Sequence, residues 1–158
     1  EAALAAEPDQ PELLYETAML AERDNRLDLA EQRLRRLIEV KPDHAHAYNA
    51  LGYSLTERNI RLDEAQSLIA RGLELAPDDP FILDSMGWVM FRRGDLNAAL
   101  TYLERAFAIR PDPEIAAHLG EVKWLLGQKD DAEKLWRTVA EQYPDNAALA
   151  STIKRFIP

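Results

Sequence analysis

Apolar residues recur along the chain at alternating intervals of three and four, as in Leu96, Leu100, Leu103 and Phe107, or Leu27, Ala30, Leu34 and Leu37. That is the period of one face of an α-helix. Cut at the Pro, Gly and Asn positions, the pattern predicts helices over 11–24, 27–40, 45–58, 62–76, 80–93, 96–110, 113–126 and 129–142, with a last one over about 146–156. Two such short, one-sided helices cannot bury their apolar faces alone, so neighbouring pairs must stack. The expected fold is all-α, a right-handed solenoid of antiparallel helix pairs closed by a C-terminal capping helix.

The pairs repeat. Pro8, Pro42, Pro77, Pro111 and Pro144 lie 34, 35, 34 and 33 residues apart, and on that grid Ala18, Gly52, Gly87 and Gly120 fall in one column. Glycine inside a helix costs about 1 kcal/mol against alanine, so a close neighbour must require the lack of bulk. Ala30, Ala65, Ala99 and Ala132 form the column expected to meet it. A third column, Asn25, Asn59, Gly94 and Gly127, holds the residue types that tolerate positive φ and marks the turn inside each pair. The prolines end the second helix, since they lack the amide hydrogen that continuation needs. Asp79-Pro80 and Asp112-Pro113 read as an N-cap followed by proline in the first turn. The second pair has one extra residue near Ile60 to Leu62 and the fourth is one short after Asp112, both in turns where length changes cost little.

The resulting organisation is one array over 1–158: a remnant of a preceding helix at 1–7, repeats at 8–42, 43–77, 78–111 and 112–144, and a cap at 145–158. Ala3 falls in the column of Leu37 and Gly72, which suggests an array cut at this point. Lys154 falls in the column of Gly52 and Gly87, so the stack should stop there. Ala147, Leu149, Ala150, Ile153 and Phe156 are expected to cover the last pair, with Ser151, Lys154 and Arg155 facing water.

Composition narrows the function. The 158 residues are 47% hydrophobic, enough for a core, and carry a formal net charge of -9, which argues against a phosphate-backbone ligand. No run reaches the roughly 18–20 apolar residues that cross a bilayer. Glu1 opens the chain without a leader, as in a processed or excised piece. There is no cysteine, hence no disulfide, thiolate metal site or cysteine nucleophile.

Other candidate chemistry is weak. His44 and His46 point opposite ways on a helix and His118 lies two repeats on, so all three read as solvated loop residues and no metal site is assigned. Asp78-Asp79 and Asp130-Asp131 sit at helix starts, where capping and the helix dipole explain them. Arg33, Arg35 and Arg36 of "RLRRLIEV" read as a solvated face supported by Glu31 and Glu39 one turn away. No nucleotide, hydrolase or metalloprotease motif occurs, so no catalytic residue and no cofactor is assigned.

The segment "FILDSMGWVMFRRGDLNAALTYLERAFAIRP", with Gly87, Gly94, Ala99, Leu103, Ala106 and Pro111 in place, resembles the tetratricopeptide repeat (TPR) family, and the likeness runs from residue 8 to 144. The resemblance implies a TPR superhelix whose first helices line a concave groove, and a non-catalytic scaffold that binds a segment of another protein there. The corresponding groove residues are Tyr15, Met19, Asn49, Tyr53, Asp84, Trp88, Phe91, Glu121 and Trp124. The two tryptophans have a second reading, as packing that bridges adjacent repeats. The clamp for chaperone C-termini found in part of the family needs cations, whereas its positions here hold Tyr15, Met19, Ala50, Phe81 and Ser85. Residues 50–107 are also similar to the C-terminal repeats of proteobacterial outer-membrane TPR lipoproteins. One such lipoprotein partners a periplasmic carboxyl-terminal processing protease. That likeness implies an adaptor bringing substrates to the protease, located in the periplasm and tethered by a lipidated N-terminus outside this sequence. The rival readings are a self-association module, pairing through the region of Leu4 or the groove, and the regulatory tail of a larger protein.

Overall fold

The computed structural model describes residues 6–158; the predicted remnant helix at 1–7, with Ala3 and Leu4, lies largely outside them. Among the described residues there are nine helices and no strand: α1 Pro11–Arg23, α2 Leu27–Val40, α3 Ala45–Glu57, α4 Leu62–Leu75, α5 Pro80–Arg92, α6 Leu96–Ile109, α7 Pro113–Leu125, α8 Lys129–Gln142 and α9 Ala147–Phe156. Each lies within one residue of its predicted span. The chain forms two compact units that divide between Pro77 and Asp78. In the first, α1 pairs with α2, α3 with α4, and α2 packs on α3. In the second, α5 pairs with α6, α7 with α8, α6 packs on α7, and α9 lies on α7 and α8. Among the described residues no helix is long and apolar enough to cross a membrane.

The turn inside each pair follows from one residue. Asn25, Asn59, Gly94 and Gly127 have φ of 59°, 54°, 87° and 88°. Reversing the chain there lets the next amide reach back five residues, as Arg26 N–H does to Ala21 O (2.7 Å) and Gln128 N–H to Lys123 O (2.8 Å). Arg61, the extra residue of the second pair, also takes the left-handed conformation, at φ 45°. The additional length is absorbed by that residue, at a cost of about 1 kcal/mol. Asp79 accepts from Phe81 and Ile82 N–H, and Asp112 from Glu114 and Ile115 N–H, as their positions predict. His44, Asp95 and Asn146 are three further side-chain caps.

The small-residue column is required by a different contact from the expected one. A methyl group on Gly52 would meet Ile69 Cγ1 at 2.6 Å and the Ala65 carbonyl oxygen at 2.9 Å, and one on Gly87 would meet Leu103 Cγ at 2.6 Å. The neighbour is thus the side chain one turn beyond each alanine, with the alanine contributing its carbonyl. On Gly120 the methyl would lie 2.0 Å from Trp136 Nε1. Trp136 is fully buried, and with Ala116, Ala132, Val139 and Leu149 it forms the core of the last pair and the cap.

The cap buries a narrower face than predicted. Leu149 and Thr152 are buried, Ile153 and Phe156 half-buried, but Ala147 and Ala150 are exposed, because the helix turns its 149-152-153-156 stripe to α7 and α8. Ser151 and Lys154 face water. Arg155 is exposed yet turns back, its Nη1 donating to Glu121 Oε1 at 3.1 Å.

The arginine run is more than a solvated face. Arg35 and Arg36 do meet Glu31 and Glu39 at 2.8 Å, yet Arg35 also reaches Glu64, Arg36 reaches Asp9, and Arg33 donates to the Thr17 carbonyl. Glu31 accepts from Arg35, Arg58 and Arg61 at 2.8, 3.3 and 2.9 Å and is the hub of this network. The Arg61 guanidinium above all, then Arg35 and Arg58, hold its carboxyl down at about 2, against an ordinary 4.5. A depressed folded-state pKa stabilises the fold above 4.5, and that contribution is lost as pH falls from 4.5 through about 2. Because Arg61 and Arg35 are partly solvated, the network is worth about 1–2 kcal/mol. Glu31→Gln is expected to lower Tm at pH 7, and its difference from the parent should shrink below pH 4.5. Paired thermal melts from pH 7 to pH 3 check this; a difference independent of pH refutes it.

Candidate functional site

The first helices of the pairs, α1, α3, α5 and α7, carry the residues assigned to partner binding, and the two units hold them differently. In the first unit, Tyr15 and Met19 lie four apart on α1, and Asn49 and Tyr53 four apart on α3, so each couple shares a helix face. All four are half-buried. The Tyr15 ring lies 5.3 Å from that of His44, which caps α3 by accepting Ala47 N–H on Nδ1 at 3.0 Å. Burial holds the His44 imidazole below its usual 6.5, favouring the neutral ring that such acceptance needs. Tyr15, Glu16, Met19, Leu20 and Arg23 line a shallow depression of about 530 Å³. Among the described residues, the Asn49 carboxamide oxygen is buried with no hydrogen-bond donor. An acceptor left in that state costs about 1–3 kcal/mol.

In the second unit the face is satisfied internally. Asp84, Trp88 and Glu121 are buried, at 8%, 6% and 7% exposure, whereas Phe91 and Trp124 are half-buried. The Trp88 ring stacks on Phe91 (4.6 Å) and on His118 (4.0 Å), with the Arg92 guanidinium 5.4 Å from its centre. His118 Nδ1 lies 2.8 Å from Asp84 Oδ1, and Glu121 is engaged by Arg155. Trp124 sits 5.9 Å from Trp136 and 5.6 Å from Phe156, and Lys129 lies 5.2 Å over it. Of the residues assigned to partner binding in this unit, Phe91 and Trp124 are therefore the ones that keep accessible ring surface.

None of the three histidines is an unstructured loop residue: His44 is a cap, exposed His46 lies in the first turn of α3, and His118 is half-buried on α7. Among the described residues no three His, Asp or Glu side chains gather as a metal site requires. His118 and Arg155 are the site neighbours that sequence reasoning missed. Each stands 34 residues from its carboxylate, one repeat along, so opposite charge at the repeat spacing was the available signal.

Two tetratricopeptide repeat family models match the sequence, one over residues 20–80 and one over 90–155, and between them they take in most of it. The chain belongs to the tetratricopeptide repeat family. A TPR repeat-containing protein of Pseudomonas aeruginosa, PA4667, is 47% identical over 114 residues, 72% of this chain. The chain spans about a fifth (19%) of that relative's length. A thermophilic TPR protein of Thermus thermophilus, TTC0263, superposes with a TM-score of 0.84 at 25% identity, covering 96% of this chain and 86% of that one. YrrB, described as a TPR protein with an unusual peptide-binding site, superposes at 0.70 and 21% identity over 98% of this chain and 81% of its own, a likeness of fold. An O-GlcNAc transferase of Thermobaculum terrenum matches over 22% of its length at 24% identity with a TM-score of 0.69, which again concerns the fold. TPR arrays are in general non-catalytic scaffolds that bind other proteins or peptides, and the all-helical solenoid of pairs is theirs.

Proposed function

We propose that this TPR chain holds an extended or helical segment of another protein against its first-helix faces, and that it serves as an adaptor bringing substrates to a periplasmic processing protease. The observation that carries the binding reading is the ring surface that Tyr15, Tyr53, Phe91 and Trp124 leave partly exposed on the first helices. Met19 adds apolar area beside Tyr15 in the first unit. Such a face binds without first being ordered, because its side chains are fixed by helices. The adaptor role and the outer-membrane tether rest on the likeness of residues 50–107 to envelope lipoprotein repeats.

The test is Met19→Ala. Trimming a half-buried side chain lowers Tm only slightly, while losing its apolar contact with the partner weakens binding about tenfold. The partner comes from cross-linking in whole cells, fractionated afterwards into envelope and cytoplasm, followed by affinity measurement with purified candidates, the protease among them. Unchanged affinity in Met19→Ala and in Phe91→Ala refutes the assigned face. Partners drawn only from the cytoplasmic fraction refute the location.

A further inference from the structure

Counting from Ala18, Gly52, Gly87 and Gly120, the residue two positions on is Leu20 in α1, Ser54 in α3, Val89 in α5 and Val122 in α7. Ser54 is 5% exposed and both valines 0%, whereas Leu20 is 46% exposed. The residue five positions before the small one behaves alike: Ala47, Ile82 and Ile115 are fully buried and Leu13 only partly. Within each unit the cause is visible. The second helix of one pair packs on the first helix of the next, α2 on α3 and α6 on α7, where Leu100, Leu103 and Phe107 cluster with Leu119 and Val122. Helix α1 carries the same apolar column, yet the described residues leave it open.

A face meant for water would be polar, and the other end of the array shows it: the cap α9 exposes Ser151 and Lys154. On α1 an exposed leucine stands instead, beside the depression that it lines with Tyr15 and Met19. The Pseudomonas aeruginosa relative has four-fifths of its length beyond the matched stretch, ample sequence for further helices. We propose that the outer face of α1 is a docking surface for one more helix of the second-helix type, supplied by this same polypeptide from outside the described residues. Its apolar residues have the spacing of Leu96, Leu100, Leu103 and Phe107, and it covers Leu13 and Leu20 as α6 covers Leu119 and Val122. The surface borders the partner-binding face at that depression, which Leu20 lines together with Tyr15 and Met19, and its occupant continues the interface that α2 makes with α3.

Because the chain has no cysteine, Leu20→Cys places a single reporter thiol on an already exposed position. Its maleimide labelling rate is compared in the 158-residue chain, in the full gene product, and in a tandem duplication that sets residues 8–41 directly before Pro8. In that duplication Pro8-Asp9-Gln10-Pro11 has the same length as the natural link Pro42-Asp43-His44-Ala45. Burial slows the reaction at least ~10-fold, since labelling then waits on local opening. The proposal expects fast labelling in the 158-residue chain at every concentration and protection of similar size in the other two. Equal rates in the chain and the gene product overturn it, as does a duplication that leaves the thiol reactive. Protection that appears in the 158-residue chain as concentration rises assigns the face to a second copy and also overturns it. Leu125→Cys, on an exposed position of α7, controls for general changes in reactivity.

Discussion

Trp136→Ala is expected to destabilise the protein by about 3–5 kcal/mol, the usual range for deleting a fully buried tryptophan. The first and third repeats place leucine at the equivalent position, Leu34 and Leu103, so the fourth puts an indole where the frame provides for a leucine. That indole has no exposed surface, stacks on Trp124 and on Phe156 at 5.9 and 5.5 Å, and donates Nε1–H to the Ala116 carbonyl at 3.2 Å. Truncation removes the stacking partner shared by α7 and α9 and leaves a void facing Gly120. For a chain of this size Tm falls by about 10 °C, read by circular dichroism melts. Leu149 and Phe156 lose what they pack against, so α9 should become the first site of proteolysis. Trp136→Leu should recover part of the loss, since two sister repeats carry leucine there. A loss under about 1 kcal/mol, typical of surface substitutions, refutes this account of the fourth repeat.

That position was hidden in the sequence for a specific reason. The small-residue columns announce a close approach, but which side chain fills the notch depends on how one helix is phased against the other. The contact falls one turn past the alanine column, on Ile69, Leu103 and Trp136. By contrast, the turn column was legible because positive φ restricts residue type strongly: two asparagines and two glycines at one grid position leave few alternatives. Arg61 was illegible for the converse reason, since nothing about arginine signals a left-handed residue. The Asp79 and Asp112 caps were read from their place before proline, while His44 was missed because histidine seldom caps.

The candidate site was legible as a list and less so as chemistry. Helical spacing put Tyr15 with Met19 and Asn49 with Tyr53. It did not show that Asp84 would be engaged by His118, or Glu121 by Arg155, because those pairs join residues a whole repeat apart. The consequence for function is concrete. The carboxylates that looked available for partner recognition are committed to internal bonds, which leaves recognition on this face to the partly exposed apolar and aromatic side chains.

Gly120→Ala should be the most damaging of the three glycine-to-alanine changes in the small-residue column. In an open helix the change gains about 1 kcal/mol of propensity. Here the new methyl meets three atoms of the Trp136 ring at 2.0, 2.3 and 2.8 Å, and the ring cannot bend away as an aliphatic chain does. Its Nε1–H is bonded to Ala116, one turn before Gly120 on the same helix, so the indole edge lies in the notch that the glycine leaves. Expelling it breaks that bond and disturbs Trp124 and Phe156, a cost above the ordinary 1–3 kcal/mol of overpacking and a net loss of about 2–4 kcal/mol. Gly52→Ala is intermediate, because the Ala65 carbonyl at 2.9 Å is backbone and moves only with its helix. Gly87→Ala should cost least. Its neighbour is Leu103, with the Ala99 carbonyl farther off at 3.2 Å, and the first repeat already holds Ala18 opposite a leucine in a site with no exposed surface. Urea titrations of the three variants give the order directly. A neutral or stabilised Gly120→Ala, or a loss no larger than that of Gly87→Ala, refutes the seating of Trp136 against α7.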